Sequence, residues 1–160
     1  MEQYIKPFID VTTSVFQELL HCTLVPQRAY FVEKESFHNW DISGVIGLTG
    51  EVRGAVAISM KADTAIKVTK ILTESDHTSL DSDVVDAIGE IVNIIAGNVK
   101  KNLEDMFRLV ISLPSIVRGR AHIVVWPTER TRILSIPFKI FDDDLVCLSV
   151  AINREGEIRE

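Results

Sequence analysis

The sequence predicts an α+β fold of two helix-plus-strand halves, with a mostly antiparallel sheet covered by long helices. Two observations carry this. Apolar residues recur at helical spacing in three segments, and the strand candidates come in consecutive runs rather than alternating singly with helices, as a parallel sheet requires. Nothing resembles a Pro- or Ser-rich linker, so residues 1–160 are expected to form one domain. Hydrophobic residues make up 46% of the chain and charged residues 25%, ordinary values for a chain that buries a core.

The first helix is expected over 5–21, where Ile5, Phe8, Ile9, Val15, Phe16, Leu19 and Leu20 recur at helical spacing. Strands are expected over 24–32, 41–48 and 52–60. The last two form a hairpin around Thr49, Gly50 and Glu51, where a glycine supplies positive φ cheaply. A helix over 62–72 follows. Ser79, Asp81 and Ser82 are the candidate N-caps for a long helix over 83–103. Strands are then expected over 108–112, 121–126, 132–141 and 145–152, with the acidic turn Asp142, Asp143 and Asp144 joining the last two. The charged tail over 153–160 is expected to fray.

The net charge of −6 argues against non-specific nucleic-acid binding, which needs a basic footprint. No apolar run approaches the roughly 20 residues of a membrane-crossing helix. The N-terminal MEQYIKPFID lacks the basic and apolar regions of a signal peptide, so the cytoplasm is the expected location. Cys22 and Cys147 are too few for a disulfide scaffold and read as small core residues.

The long helix carries the chemistry. Each residue turns about 100° on a helix. Ile88, Ile91, Val92, Ile95, Val99 and Leu103 therefore share one broad apolar face. Asp86, Glu90, Asn93 and Gly97 share the opposite one, within about 60° of one another. A polar stripe on an amphipathic helix is ordinarily just solvated. Two details here are out of place on such a face. Gly89 and Gly97 each cost about 1 kcal/mol relative to alanine inside a helix, and Gly97 lies on the outward stripe, where its bareness lets a partner's backbone approach. Asn93 is a poor mid-helix residue, because its amide competes with the backbone. Asn98 and Asn102 project nearer the apolar side and are candidates to pair with strand-edge backbone groups; neither is assigned a function.

Asp86-x-x-x-Glu90-x-x-Asn93, within DAIGEIVNIIAGNVKKNL, resembles the signature of the CheC/CheX/FliY chemotaxis phosphatases, the CheX version in particular. Ile46-Gly47-Leu48-Thr49-Gly50 followed by Gly54-Ala55-Val56 is also similar to CheX chains. One family feature is unmatched: a proline a little over twenty residues after the asparagine, since Pro114 comes slightly early. The resemblance implies a CheC-like fold and hydrolysis of the aspartyl phosphate on a phosphorylated CheY-type response regulator. It implies that Asn93 orients the attacking water and Glu90 docks on a regulator lysine, with Asp86 and Gly97 as further partner contacts. It implies that Mg2+ belongs to the regulator, so that the chain needs no cofactor of its own, and that the chain forms a homodimer through joined sheet edges. Asp10-x-x-x-Ser14-x-x-Gln17 in the first helix has the same spacing and reads as an inactive echo. The alternative is a non-catalytic module that binds a regulator or flagellar-switch component through the same stripe. A third reading, a core helix in a protein of unrelated function, requires Glu90 and Asn93 to be buried.

Other chemistries find little footing. His21, His38, His77 and His122 show no paired ligand spacing, and no phosphate-binding glycine loop or Gly-x-Ser-x-Gly elbow is present. The glycines from Gly44 to Gly54 read as turn and packing residues, and Asp142–Asp144 as a solvated turn. Trp40 and Trp126 suit either core or interface. Arg118, Arg120, Arg130 and Arg132 read as solubilising residues or as protection of a sheet edge.

Overall fold

The computed structural model describes residues 2–33, 39–125 and 131–154. The chain order is α1 (Glu2–Leu20), β1 (Val25–Pro26), β2 (Tyr30–Phe31), β3 (Trp40–Gly50), β4 (Val52–Met60), α2 (Ala62–Thr73), α3 (Ser82–Leu103), β5 (Leu109–Ile111), β6 (Ser115–His122), β7 (Leu134–Ile140) and β8 (Asp144–Arg154). All eight strands join one antiparallel sheet in the order β1-β7-β8-β4-β3-β5, with β2 also on β7 and β6 also on β3.

This order reads the same from either end. Each half supplies a helix, a broken outer strand and a two-strand hairpin: α1, β1/β2, β3 and β4, then α3, β5/β6, β7 and β8. The hairpins meet at β4 and β8, which pair from Val52↔Arg154 to Met60↔Val146. Each half lays its outer strand on the other half's hairpin, β1/β2 on β7 and β5/β6 on β3. Gly54 makes the central contact possible, because a Cβ there would sit 1.8 Å from the Ala151 carbonyl oxygen.

Strand alternation sorts the sheet into two faces. Ile42, Ile46, Leu48, Val56, Ile58, Met60, Phe138, Val146, Leu148 and Val150 join Phe8, Phe16, Ile88, Ile91 and Ile95 in the core beneath the helices. The other face carries small groups: Ser43 bonds Ser59 at 2.6 Å and Ser135 bonds Ser149 at 2.7 Å, all four buried. Tyr30, Val32, Trp40, Ile123 and Val124 line a small cavity over these serines. Trp40 is thus a core residue; Trp126, His38 and Arg130 lie outside the described residues.

Most expected elements are present; two strands, the tail and the readings of Asn98, Asn102 and Cys22 need correction. The strand expected over 121–126 is instead β6, Ser115–His122. The apolar run after Ala121 suggested a strand, but Ala121 has φ 53° and no ladder pairing extends past His122. The strand expected over 24–32 is two short pieces, interrupted where Gln27 donates its N–H to the Pro137 carbonyl at 2.8 Å. Asn153 and Arg154, expected in the fraying tail, instead pair with β4, and residues 155–160 lie outside the described residues. Asn102 is exposed, Asn98 is half-buried, and neither side chain hydrogen-bonds another described residue, so they do not serve the strand edges. Of the two cysteines, Cys147 is buried and Cys22 only partly so. Gly50 has φ 109°, as the hairpin turn requires.

Candidate functional site

The site is built on α3. Asp81 caps its N-terminus, its carboxylate accepting the Val84 N–H at 3.0 Å. That bond, and then the hydrogen bond from His77, hold the Asp81 carboxyl below its ordinary range. His77 Nδ1 lies 3.2 Å from Asp81 and its Nε2 faces the hydroxyls of Thr73 and Ser75 at 3.0 and 3.1 Å. His77, Asp81 and Asp83 are the described residues whose ligand atoms converge within 4.8 Å. Sequence spacing gave no sign of this cluster. Both ring nitrogens of His77 are already engaged, and the group acts as an extended cap that fixes where α3 starts.

Packing then fixes the rotation of α3. Ile88, Ile91, Val92, Ile95, Val99 and Leu103 are all buried, as their spacing requires. Val92 drops into a notch over β3, where a Cβ on Gly44 would lie only 2.9 Å from its Cγ1. With the apolar face seated, the opposite face must point outward. Asp86, Glu90 and Asn93 are exposed and Gly97 is partly so. A Cβ added to Gly97 would meet nothing within 4 Å, so no contact among the described residues demands a glycine there. The side chains of Glu90 and Asn93 make no hydrogen bond or ion pair with another described residue. Their exposure rules out the reading of α3 as a wholly internal helix.

The stripe lines neither the cavity behind the sheet nor the open groove of about 660 Å³ at the far end of α3, bordered by Lys100, Glu104 and Arg108. Asp86 and Glu90 belong to no converging set of ligand atoms among the described residues. A carboxylate, an amide and a bare helix surface pointing outward from one helix suit insertion into another protein's cavity better than capture of a small molecule.

Residues 42–139 match the family model described as chemotaxis phosphatase CheX. The chain belongs to the CheX family. It is therefore an enzyme of the phosphatase class, and the family region spans all of α3 and five of the eight strands in whole or part. The CheY-P phosphatase CheX of Thermotoga maritima is 30% identical over 114 residues, covering 70% of this chain and 72% of its own. The CheX structure from Vibrio vulnificus superposes with a TM-score of 0.85 at 24% identity, covering 94% of this chain and 99% of that one. A CheX-CheY-BeF3-Mg2+ complex from Borrelia burgdorferi contains a chain that superposes with a TM-score of 0.78 at 25% identity, covering 94% and 98%. The CheC-like α+β architecture expected from the sequence is thus present.

Outside α3, Asp144 of the acidic turn is tied to Lys67 at 2.7 Å. Arg118 and Arg120 are exposed on the outer strand β6, in keeping with an edge-protecting role, and Arg118 also donates to the Leu80 carbonyl at 2.7 Å. Arg132 stacks over the Phe31 ring at 3.7 Å. No helix among the described residues is long and apolar enough to cross a membrane.

Proposed function

We propose that this chain hydrolyses the aspartyl phosphate of a CheY-type response regulator, acting in the cytoplasm as a single-domain protein. The observation that carries the reading is the outward projection of Glu90 and Asn93, less than one helical turn apart along α3, on a face that no described residue covers. In the reaction, water attacks phosphorus in line with the bond to the regulator's aspartate. The P–O bond breaks, and aspartate and inorganic phosphate are released. Such transfers are accelerated mainly by positioning and electrostatics. The Asn93 carboxamide suits the positioning role: its oxygen accepts one hydrogen from the water, and its NH2 can donate to a phosphoryl oxygen. Glu90 pairs with a lysine of the regulator and sets the docking angle. Asp86 and Gly97 extend the contact, Gly97 by letting regulator backbone approach α3.

The Mg2+ that neutralises the phosphoryl group sits with the regulator; the CheX-CheY-BeF3-Mg2+ complex from Borrelia burgdorferi supports this reading. The chain works as a homodimer, joined through the exposed edge of its sheet.

A phosphate-decay assay on a CheY-type regulator tests the reading. Wild type is expected to shorten the phosphate lifetime. Asn93→Ala is expected to remove most of that acceleration while still binding regulator carrying BeF3 as a phosphoryl mimic. Unchanged decay with Asn93→Ala would remove the residue from the chemistry. Regulator binding by wild type without any change in lifetime would favour the non-catalytic module.

A further inference from the structure

Leu113 is the most exposed large apolar residue on the described surface, at 86%. It sits at the corner between β5 and β6, and the corner is pinned. Ser112 donates its N–H to the Gly47 carbonyl at 3.0 Å. Its hydroxyl accepts the Gly47 N–H at 2.8 Å and donates to the Leu113 carbonyl at 2.9 Å. Two bonds thus tie Ser112 to β3, and Ser112 in turn holds the Leu113 carbonyl. Pro114, with φ fixed by its ring, follows directly. An apolar side chain held out on a braced corner loses little conformational freedom when something covers it.

The corner lies beside the proposed site. A Cβ on Gly89 would lie 4.0 Å from Pro114 Cγ and 3.6 Å from Ile116 Cδ1, so the corner abuts α3 at Gly89. Gly89 and Asn93 are four residues apart and face nearly the same way, with Cβ positions about 5–6 Å apart. Leu113, one peptide from Pro114, therefore lies within about 15 Å of Asn93, on its flank of the helix. A protein interface of ordinary size covers about 800 Å² per partner, a patch roughly 30 Å across. A regulator centred on Asn93 then reaches Leu113.

Resting on the proposed function, we infer that Leu113 is an apolar anchor for the response regulator, seating in a hydrophobic depression on the rim of the regulator's phosphorylation site. Leu113 supplies affinity; Asn93 supplies chemistry.

The test uses the full chain and a CheY-type regulator, with binding measured against the BeF3-Mg2+ form and turnover measured on the phosphorylated form. Leu113→Ala is expected to raise Kd and KM roughly tenfold, and Leu113→Asp more, with kcat within about twofold of wild type. Sedimentation of both variants identifies the occupant. Regulator affinity and KM unchanged in both variants would overturn the inference. So would a shift to a smaller oligomer by Leu113→Asp with unchanged regulator affinity, which would assign the corner to a second copy of this chain. The proposed function fails separately: a wild type that binds the BeF3 form without hydrolysing phosphate removes catalysis, and Leu113→Asp weakening that binding would still uphold the anchor.

Discussion

The two halves place α1 and α3 at corresponding positions in the topology, and each helix carries the same spacing of polar residues. Their surfaces differ in how those residues are occupied. On α1, Asp10 is paired with Lys6, and the Gln17 amide oxygen accepts a hydrogen bond from Thr23 at 3.2 Å. On α3, Glu90 and Asn93 are engaged by no described residue. The outer corners differ likewise. Gln27, between β1 and β2, folds its amide back onto the Val25 and Pro26 carbonyls, whereas the corner between β5 and β6 holds Leu113 out. One architecture thus offers two helix faces: on α1 the side chains of Asp10 and Gln17 are engaged within the chain, whereas on α3 those of Glu90 and Asn93 are not. A working surface that must complete another protein's site has to keep its hydrogen-bonding capacity unspent within its own chain.

The largest expected effect breaks the junction that both halves share. Gly54→Ala places a methyl against the Ala151 backbone, so β4 and β8 must part; chemical denaturation should show a loss of more than about 3 kcal/mol. Next comes a charge test of the asymmetry. Glu90→Lys should weaken binding to the BeF3-loaded regulator by roughly 100-fold, while Asp10→Lys on α1 leaves Kd unchanged. Equal losses from both would mean that the two faces are equivalent.

Gly97 sharpens the comparison by separating stability from docking. Gly97→Ala, in open space on a helix, should raise stability by about 1 kcal/mol in the same denaturation assay. Gly97→Phe should raise KM for the phosphorylated regulator about tenfold without lowering stability.

The smallest effect concerns the sheet common to both halves. Burial pushes the Cys147 thiol up to about 11. In the native protein it should resist thiol reagents at pH 8 and react only on unfolding, whereas the partly exposed Cys22 labels first. Because the folded pKa lies above the unfolded value near 8.5, the contribution to stability is whole below about pH 8.5 and disappears as pH rises through about 11. A titration of stability across that window checks the sign.

Local pattern made much of this architecture readable. The helical period of Ile88 to Leu103 named the buried face of α3, and so by exclusion its outward stripe. The boundaries expected for the strand after the Gly50 turn coincide with β4, Val52–Met60. What escaped the pattern was long-range. β6 reads Ser-Ile-Val-Arg-Gly-Arg-Ala-His, an outer strand whose exposed residues need not alternate, so the more apolar stretch after it attracted the strand assignment. No local signal says that β5 and β6 cross to β3 of the other half. The exposure of Leu113 depends on Ser112 meeting Gly47, 65 positions away, and periodicity holds no trace of that contact. The His77–Asp81 cap was half visible: Asp81 stood among the expected caps, but its histidine partner did not.

The most direct measurement sets the two helices against each other in one assay. Phosphate decay on a CheY-type regulator is followed with wild type, Asn93→Ala and Gln17→Ala at equal concentration. The account predicts a loss of about 100-fold or more for Asn93→Ala and a rate indistinguishable from wild type for Gln17→Ala. Comparable losses in the two variants, or a loss in Gln17→Ala alone, would contradict it.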